Sequence, residues 1–145
     1  MKKIPVAVYG ATGAVGQKLL ARLNGHPMFE VAQVVASASR VGQRFGDSVE
    51  WREDSTIPAT LADLVLTDAQ PLDGVRMAFS ALGADVAREI EPMLARNGII
   101  VVSNASAFRL EDDVPLIIPE LNPGHLELLP RQREERGWNG AIVTN

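Results

Sequence analysis

Cysteine is absent from all 145 residues. That excludes disulfides, a thiolate metal site and a cysteine nucleophile among these residues. Positive charge is not in excess: 14 Lys and Arg stand against 18 Asp and Glu, a net charge of −4. Nothing in that balance calls for nucleic acid. No apolar run approaches the roughly 18 residues of a membrane span. The start, Met1-Lys2-Lys3-Ile4-Pro5, lacks the apolar stretch and small-residue cleavage site of a signal peptide. Internal repeats, low-complexity segments and linkers are missing too. What remains is ordinary globular composition, 46% hydrophobic and 22% charged. One domain with its own core is expected, in a cytoplasmic protein.

Apolar runs and helical patterns alternate along the chain. Strands are expected at Ile4 to Tyr9, Val31 to Ala36, Leu64 to Leu66, Arg76 to Phe79, Ile99 to Val102, Leu116 to Ile118 and from Ala141 to Val143. Val15, Leu19, Leu20 and Leu23 recur at helical spacing, and Asn24-Gly25 stops that helix. A second helix spans Ala84 to Arg96, with a kink or new start expected at Pro92. A third spans Leu126 to Arg136, and its mixed charges Arg131 to Arg136 read as a solvated face. Ser37 to Asp47 reads as a polar loop. The alternation predicts an α/β fold: Rossmann-like, doubly wound, a mostly parallel sheet with helices on both faces.

Gly10-Ala11-Thr12-Gly13-Ala14-Val15-Gly16 lies between the first strand and the first helix. Glycines there turn the chain, let backbone approach a pyrophosphate, and let helix and strand pack closely. Free N–H groups at the helix start would hold the anion. The spacing is G-x-x-G-x-x-G rather than G-x-G-x-x-G. The second strand ends in Ala36-Ser37-Ala38-Ser39-Arg40, where NAD binders usually place an acid. Ser37, Ser39 and Arg40 suit a 2′-phosphate instead, so NADP is the expected cofactor. Ser80-Ala81-Leu82-Gly83 ends a later strand with small residues against which a cofactor could lie. Asn104 and Arg109, in Ser103-Asn104-Ala105-Ser106-Ala107-Phe108-Arg109, offer an orienting amide and an anion clamp.

These motifs occur in order, followed by Pro119-Glu120-Leu121-Asn122-Pro123 and Trp138-Asn139-Gly140-Ala141-Ile142-Val143-Thr144-Asn145. Together they resemble the N-terminal cofactor-binding part of the aspartate-semialdehyde dehydrogenases, closest to the archaeal and fungal branch. Phe108 departs from that branch, where a histidine is common. The resemblance covers nearly the whole chain. It implies that residues 1–145 are an NADP-binding domain, truncated before the catalytic domain, and that Pro-Asn-Cys with the nucleophile would follow. It also implies the chemistry of a complete enzyme in amino-acid biosynthesis. A cysteine thiolate attacks L-aspartate 4-semialdehyde, NADP accepts the hydride, and phosphate releases L-aspartyl 4-phosphate from the thioester.

Residue by residue, the resemblance assigns Gly10, Thr12, Gly13, Ala14, Val15 and Gly16 to the phosphate loop. Ser37, Ser39 and Arg40 go to the adenosine phosphate, and Ser80, Ala81 and Leu82 to the nicotinamide side. Asn104 and Arg109 lie beside the substrate phosphate. No residue here is assigned a catalytic role, and no metal is implied. The complete enzyme is expected to be a homo-oligomer whose partners are small molecules, without nucleic acid or membrane. Two alternatives stay open: a fragment of an N-acetylglutamyl-phosphate reductase, and a non-catalytic NADP-binding or redox-sensing module. His26 and His125 have no partner at metal-ligand spacing. Glu50, Glu53 and Asp54 around Trp51 read as the wet rim of a packed loop, and Asp112 and Asp113 as turn residues. If the chain is such a fragment, its final strand would be truncated and surface meant for the catalytic domain exposed, and an exposed apolar patch or open sheet edge would invite association.

Overall fold

The structure is a computed structural model that describes residues 1–145. The chain falls into two compact units, Met1–Val75 and Arg76–Asn145. In the first, β1 (Ile4–Tyr9), α1 (Ala14–Leu23) and β2 (Phe29–Val35) form a βαβ unit, with β3 (Leu66–Thr67) beyond β2. Pairing is parallel throughout, in the order β3-β2-β1. Val6, Ala7, Val8 and Tyr9 are all buried, which is why β1 reads as a continuous apolar run. Helix α1 packs on β1 and β2 through Leu20 and Leu23.

The second unit holds β4 (Met77–Ser80), α4 (Ala84–Arg96), β5 (Ile100–Ser103), α5 (Leu129–Arg136) and β6 (Ala141–Thr144). Its strands pair in parallel in the order β4-β5-β6. Two such three-stranded βαβ halves are what a doubly wound dinucleotide-binding fold is assembled from. The expected α/β, Rossmann-like class is the one found.

Several element expectations need correcting. Strand β2 begins at Phe29 and ends at Val35, because the Ile4 N–H reaches the Met28 carbonyl and draws that stretch into the ladder. Strands β3 and β4 each lie further along the chain than expected. The Leu64 carbonyl instead accepts from the Phe45 amide. The polar stretch after Ser37 contains a 3-10 turn (Ala38–Arg40) and α2 (Phe45–Ser48), with Phe45 buried edge-on to Trp51. A further turn of helix, α3 (Ala59–Ala62), had no clear signal. Helix α4 runs through Pro92 as one element. The late helix is two: a 3-10 stretch Pro123–Leu128, then α5, because Pro130 has no N–H to extend the earlier turn.

Leu116 to Ile118 is no strand. Pro115 and Pro119 bracket it, and it makes a single bridge, Leu116 to Thr144. That bridge still matters, because it helps close the outer edge of β6. Thr144 donates its amide to the Pro115 carbonyl (2.8 Å) and accepts from the Ile117 amide (2.8 Å). Between them the Gln132 side chain stands in for a neighbouring strand. It accepts from the Ile142 amide at 2.9 Å and donates to the Ile142 carbonyl at 2.9 Å. The edge expected to lie open is therefore satisfied at both outward residues.

The Arg131 to Arg136 face is also less solvated than its charges suggest. Gln132 is fully buried, and Arg136 pairs with Asp113 through two guanidinium nitrogens. Arg136 lies 5.1 Å from the Trp138 ring centroid and 6.0 Å from that of Phe108. Asp113 does lie in the expected turn, closed by the Val114 amide on the Glu111 carbonyl, and it is also a buried ion-pair partner whose carboxyl Arg136 holds below the usual range.

Candidate functional site

The loop between β1 and α1 is built by two glycines with different duties. Gly10 has a φ of +73°, a left-handed conformation that reverses the chain as β1 ends. Gly16 lies beneath it in α1. A Cβ there would sit 2.1 Å from the Gly10 carbonyl oxygen and 2.9 Å from the Ala11 Cα. Only glycine lets the helix approach the strand so closely. Gly13 caps α1 with extended dihedrals, and a Cβ on it would meet only the Gly10 oxygen, at 3.6 Å. That side faces open space.

The first intrahelical bond comes from Gln17, whose amide reaches the Gly13 carbonyl at 2.9 Å. The amides of Ala14, Val15 and Gly16 precede it, so they have no helical acceptor. No side chain caps this end, and the first turn holds no acidic residue. Gly13, Ala14 and Val15 are exposed. A helix start with no side-chain cap and no acidic residue in its own first turn fits a phosphate group. Gln17, which the sequence did not flag, locks the loop. It is buried, donates to the Thr12 carbonyl (2.9 Å) and accepts from the Arg52 amide (2.9 Å). Its only sequence signal was a polar residue on the apolar stripe of α1. Lys18, Arg52 and Glu53 line a cleft of about 240 Å³ with Ala14 and Val15.

Beyond β2, Ser37 and Ser39 stand with their hydroxyls 3.2 Å apart, both exposed. The 3-10 turn brings Arg40 alongside. One of its terminal nitrogens donates to the Ser48 carbonyl at 2.5 Å, which fixes the side chain. A guanidinium has five donors, so this contact leaves others for an anion. No carboxylate lies within Ala36 to Arg40.

In the second unit Ser80 ends the β4 ladder, and Ala81 and Leu82 lead on towards α4. Ser80 is fully buried, so its side chain faces the protein; Ala81 and Leu82 are half-buried. The segment after β5 is drawn to β4 by the Asn104 amide, which donates to the Ser80 carbonyl at 2.8 Å. Asn104 is exposed, and its carbonyl accepts from Arg109 at 2.9 Å. Arg109 Nε is buried without a partner. Such an orphaned cationic donor is costly unless something anionic meets it. Ala105, Ala107 and Phe108 are buried and anchor the segment.

Neither histidine has a role at these places. His26 Nδ1 accepts from the Met28 and Phe29 amides, which makes it a turn residue. No group of three acidic, His or Cys side chains could hold a metal. No helix is long and apolar enough to cross a membrane.

The family model described as "Semialdehyde dehydrogenase, NAD binding domain" matches residues 5–129. Aspartate-semialdehyde dehydrogenase from Archaeoglobus fulgidus is 46% identical over 141 residues, covering 97% of this chain and 41% of that protein. Its counterpart from Methanothermobacter thermautotrophicus is 46% identical and is likewise covered over 41% of its length. A crystal structure of the Candida albicans enzyme with NADP superposes at a TM-score of 0.87 and 34% identity, over 99% of this chain and 42% of that one. The chain thus spans about two-fifths of the length of these archaeal and fungal relatives. It belongs to the semialdehyde dehydrogenase family, of which it is the NAD-binding domain.

Proposed function

We propose that residues 1–145 form the NADP-binding portion of an aspartate-semialdehyde dehydrogenase. The observation that carries this reading is the start of α1 under Gly10 and Gly13, which has no side-chain cap and no acidic residue in its first turn. Gly10, Thr12, Gly13, Ala14, Val15 and Gly16 would hold the pyrophosphate, chiefly through amides. Ser37, Ser39 and Arg40 would hold the 2′-phosphate, and the absence of a carboxylate there favours NADP over NAD. Ser80, Ala81 and Leu82 would lie on the nicotinamide side; Ser80 would do so through backbone, since its side chain is buried. When bound, NADP supplies the hydride acceptor or donor.

Asn104 and Arg109 would receive the phosphate of the substrate. The reaction supported is the interconversion of L-aspartyl 4-phosphate and L-aspartate 4-semialdehyde with phosphate. Its nucleophile lies outside these residues, which contain no cysteine. The 145-residue chain therefore binds cofactor and does not turn over. In the complete enzyme the partners are small molecules and further copies of the same chain, in the cytoplasm. Calorimetric titration of the purified chain with NADP and with NAD tests the reading. Tighter NADP supports it; equal affinities or tighter NAD overturn it.

A further inference from the structure

Glu91 is a carboxyl with no place in the site so far described. It projects from α4 and is 0% exposed, next to Ser80 (0%) and Ser103 (1%), the last residues of β4 and β5. Burial without a cation is expensive for a carboxylate, and burial pushes its pKa up. Ser103 Oγ donates to Glu91 Oε1 at 2.6 Å. The same Ser103 Oγ accepts the Ala105 amide at 3.1 Å. Ser80 Oγ faces the carboxyl as well, yet it and Glu91 Oε2 are buried without a good hydrogen bond. A relay therefore runs from α4 through a serine to the backbone that carries Asn104 and Arg109.

We propose that Glu91 is a positioning residue: through the Ser103 hydroxyl it fixes the Ala105 amide, and so presents Asn104 and Arg109 to an anionic substrate group. The placement is specific. A packing role at this depth needs only an apolar side chain, which would avoid the desolvation cost. A hydroxyl aimed both at the carboxyl and at a loop amide has a use only if the loop must be held. The presentation of Arg109 rests on the phosphate role proposed above; the tether itself does not.

Amide hydrogen exchange on the 145-residue chain, with variants Glu91→Gln and Glu91→Ala, separates the two. Gln keeps an acceptor for Ser103 and offers a donor to Ser80, so it rescues. Ala105 protection is expected to fall about tenfold in Glu91→Ala, the worth of one hydrogen bond. The Val101 and Val102 amides of β5 keep theirs, and Glu91→Gln stays within about twofold of the parent. Titration with inorganic phosphate should show weaker binding in Glu91→Ala alone. Should Glu91→Ala fail to fold, Ser103→Ala cuts the same relay and is expected to release Ala105 alike. Uniform loss of protection across the second unit, or an unchanged Ala105 in a folded Glu91→Ala protein, overturns the proposal. If the parent chain binds no phosphate, the Arg109 role fails, and the Ala105 exchange still decides for or against the tether.

Discussion

Alanine at Gly16 and alanine at Gly13 are chemically the same change, and the structure assigns them opposite consequences. At Gly16 the new methyl would meet three backbone atoms of Gly10 and Ala11 between 2.1 and 2.9 Å. An ordinary contact lies beyond 3.4 Å, so the methyl must travel more than 1 Å to clear the oxygen. Backbone cannot rotate away as a side chain can, so α1 and β1 must separate. Overpacking of this kind costs about 2–3 kcal/mol, or about 6–9 °C in Tm for a chain of this size. At Gly13 the methyl has one ordinary contact, at 3.6 Å, and the dihedrals suit any residue. Helix capping and chain entropy nearly cancel there, leaving stability within about 0.5 kcal/mol. That methyl does occupy the open side of the loop, where backbone must approach phosphate. NADP affinity should fall about tenfold or more, about 1.4 kcal/mol. Thermal melts and NADP titrations of both variants decide the matter. A Gly16→Ala protein as stable as the parent, or a Gly13→Ala protein that binds NADP unimpaired, would refute this account of the loop.

If Arg40 holds the 2′-phosphate as proposed, replacing it with Leu removes charged hydrogen bonds, so NADP should bind about 10- to 100-fold more weakly while NAD binding stays the same. Gln132→Leu strips partners from the Ile142 amide, the Ile142 carbonyl and the Asp113 carbonyl; urea melts should show a loss of about 3 kcal/mol and new self-association at the β6 edge. Asp113 has a pKa held down by Arg136, so its contribution is complete above the unfolded value near 3.9 and is lost as pH falls through the folded one. Asp113→Asn should therefore cost about 2 kcal/mol at pH 7 and flatten the acid limb of a stability–pH profile below about pH 4; a parallel limb in both proteins would argue against the pair.

The framework was legible because it rests on local, periodic signals. The buried run Val6 to Tyr9, the Leu20 and Leu23 stripe and the glycine trio carry β1–α1–β2 in a few consecutive residues. The site residues sit at strand ends, where small and polar types interrupt apolar runs. What escaped were contacts between residues far apart in the chain. Gln17, Gln132 and Glu91 look like surface residues, yet each is buried because its partners are backbone groups or serines on other elements. Asp113 and Arg136 lie 23 positions apart, so neither charge announces the other. Prolines misled twice: Pro92 is accommodated within α4, whereas Pro115 and Pro119 reduce an apolar triplet to one bridge.

The central claim is that the start of α1 holds the cofactor's pyrophosphate and the turn after β2 its 2′-phosphate. An amide chemical-shift map of the 145-residue chain during NADP titration tests it most directly. The largest shifts should fall on Gly13, Ala14, Val15 and Gly16, with a second group from Ser37 to Arg40 that NAD leaves unmoved. Shifts confined to other parts of the chain, or none at saturating NADP, would contradict it.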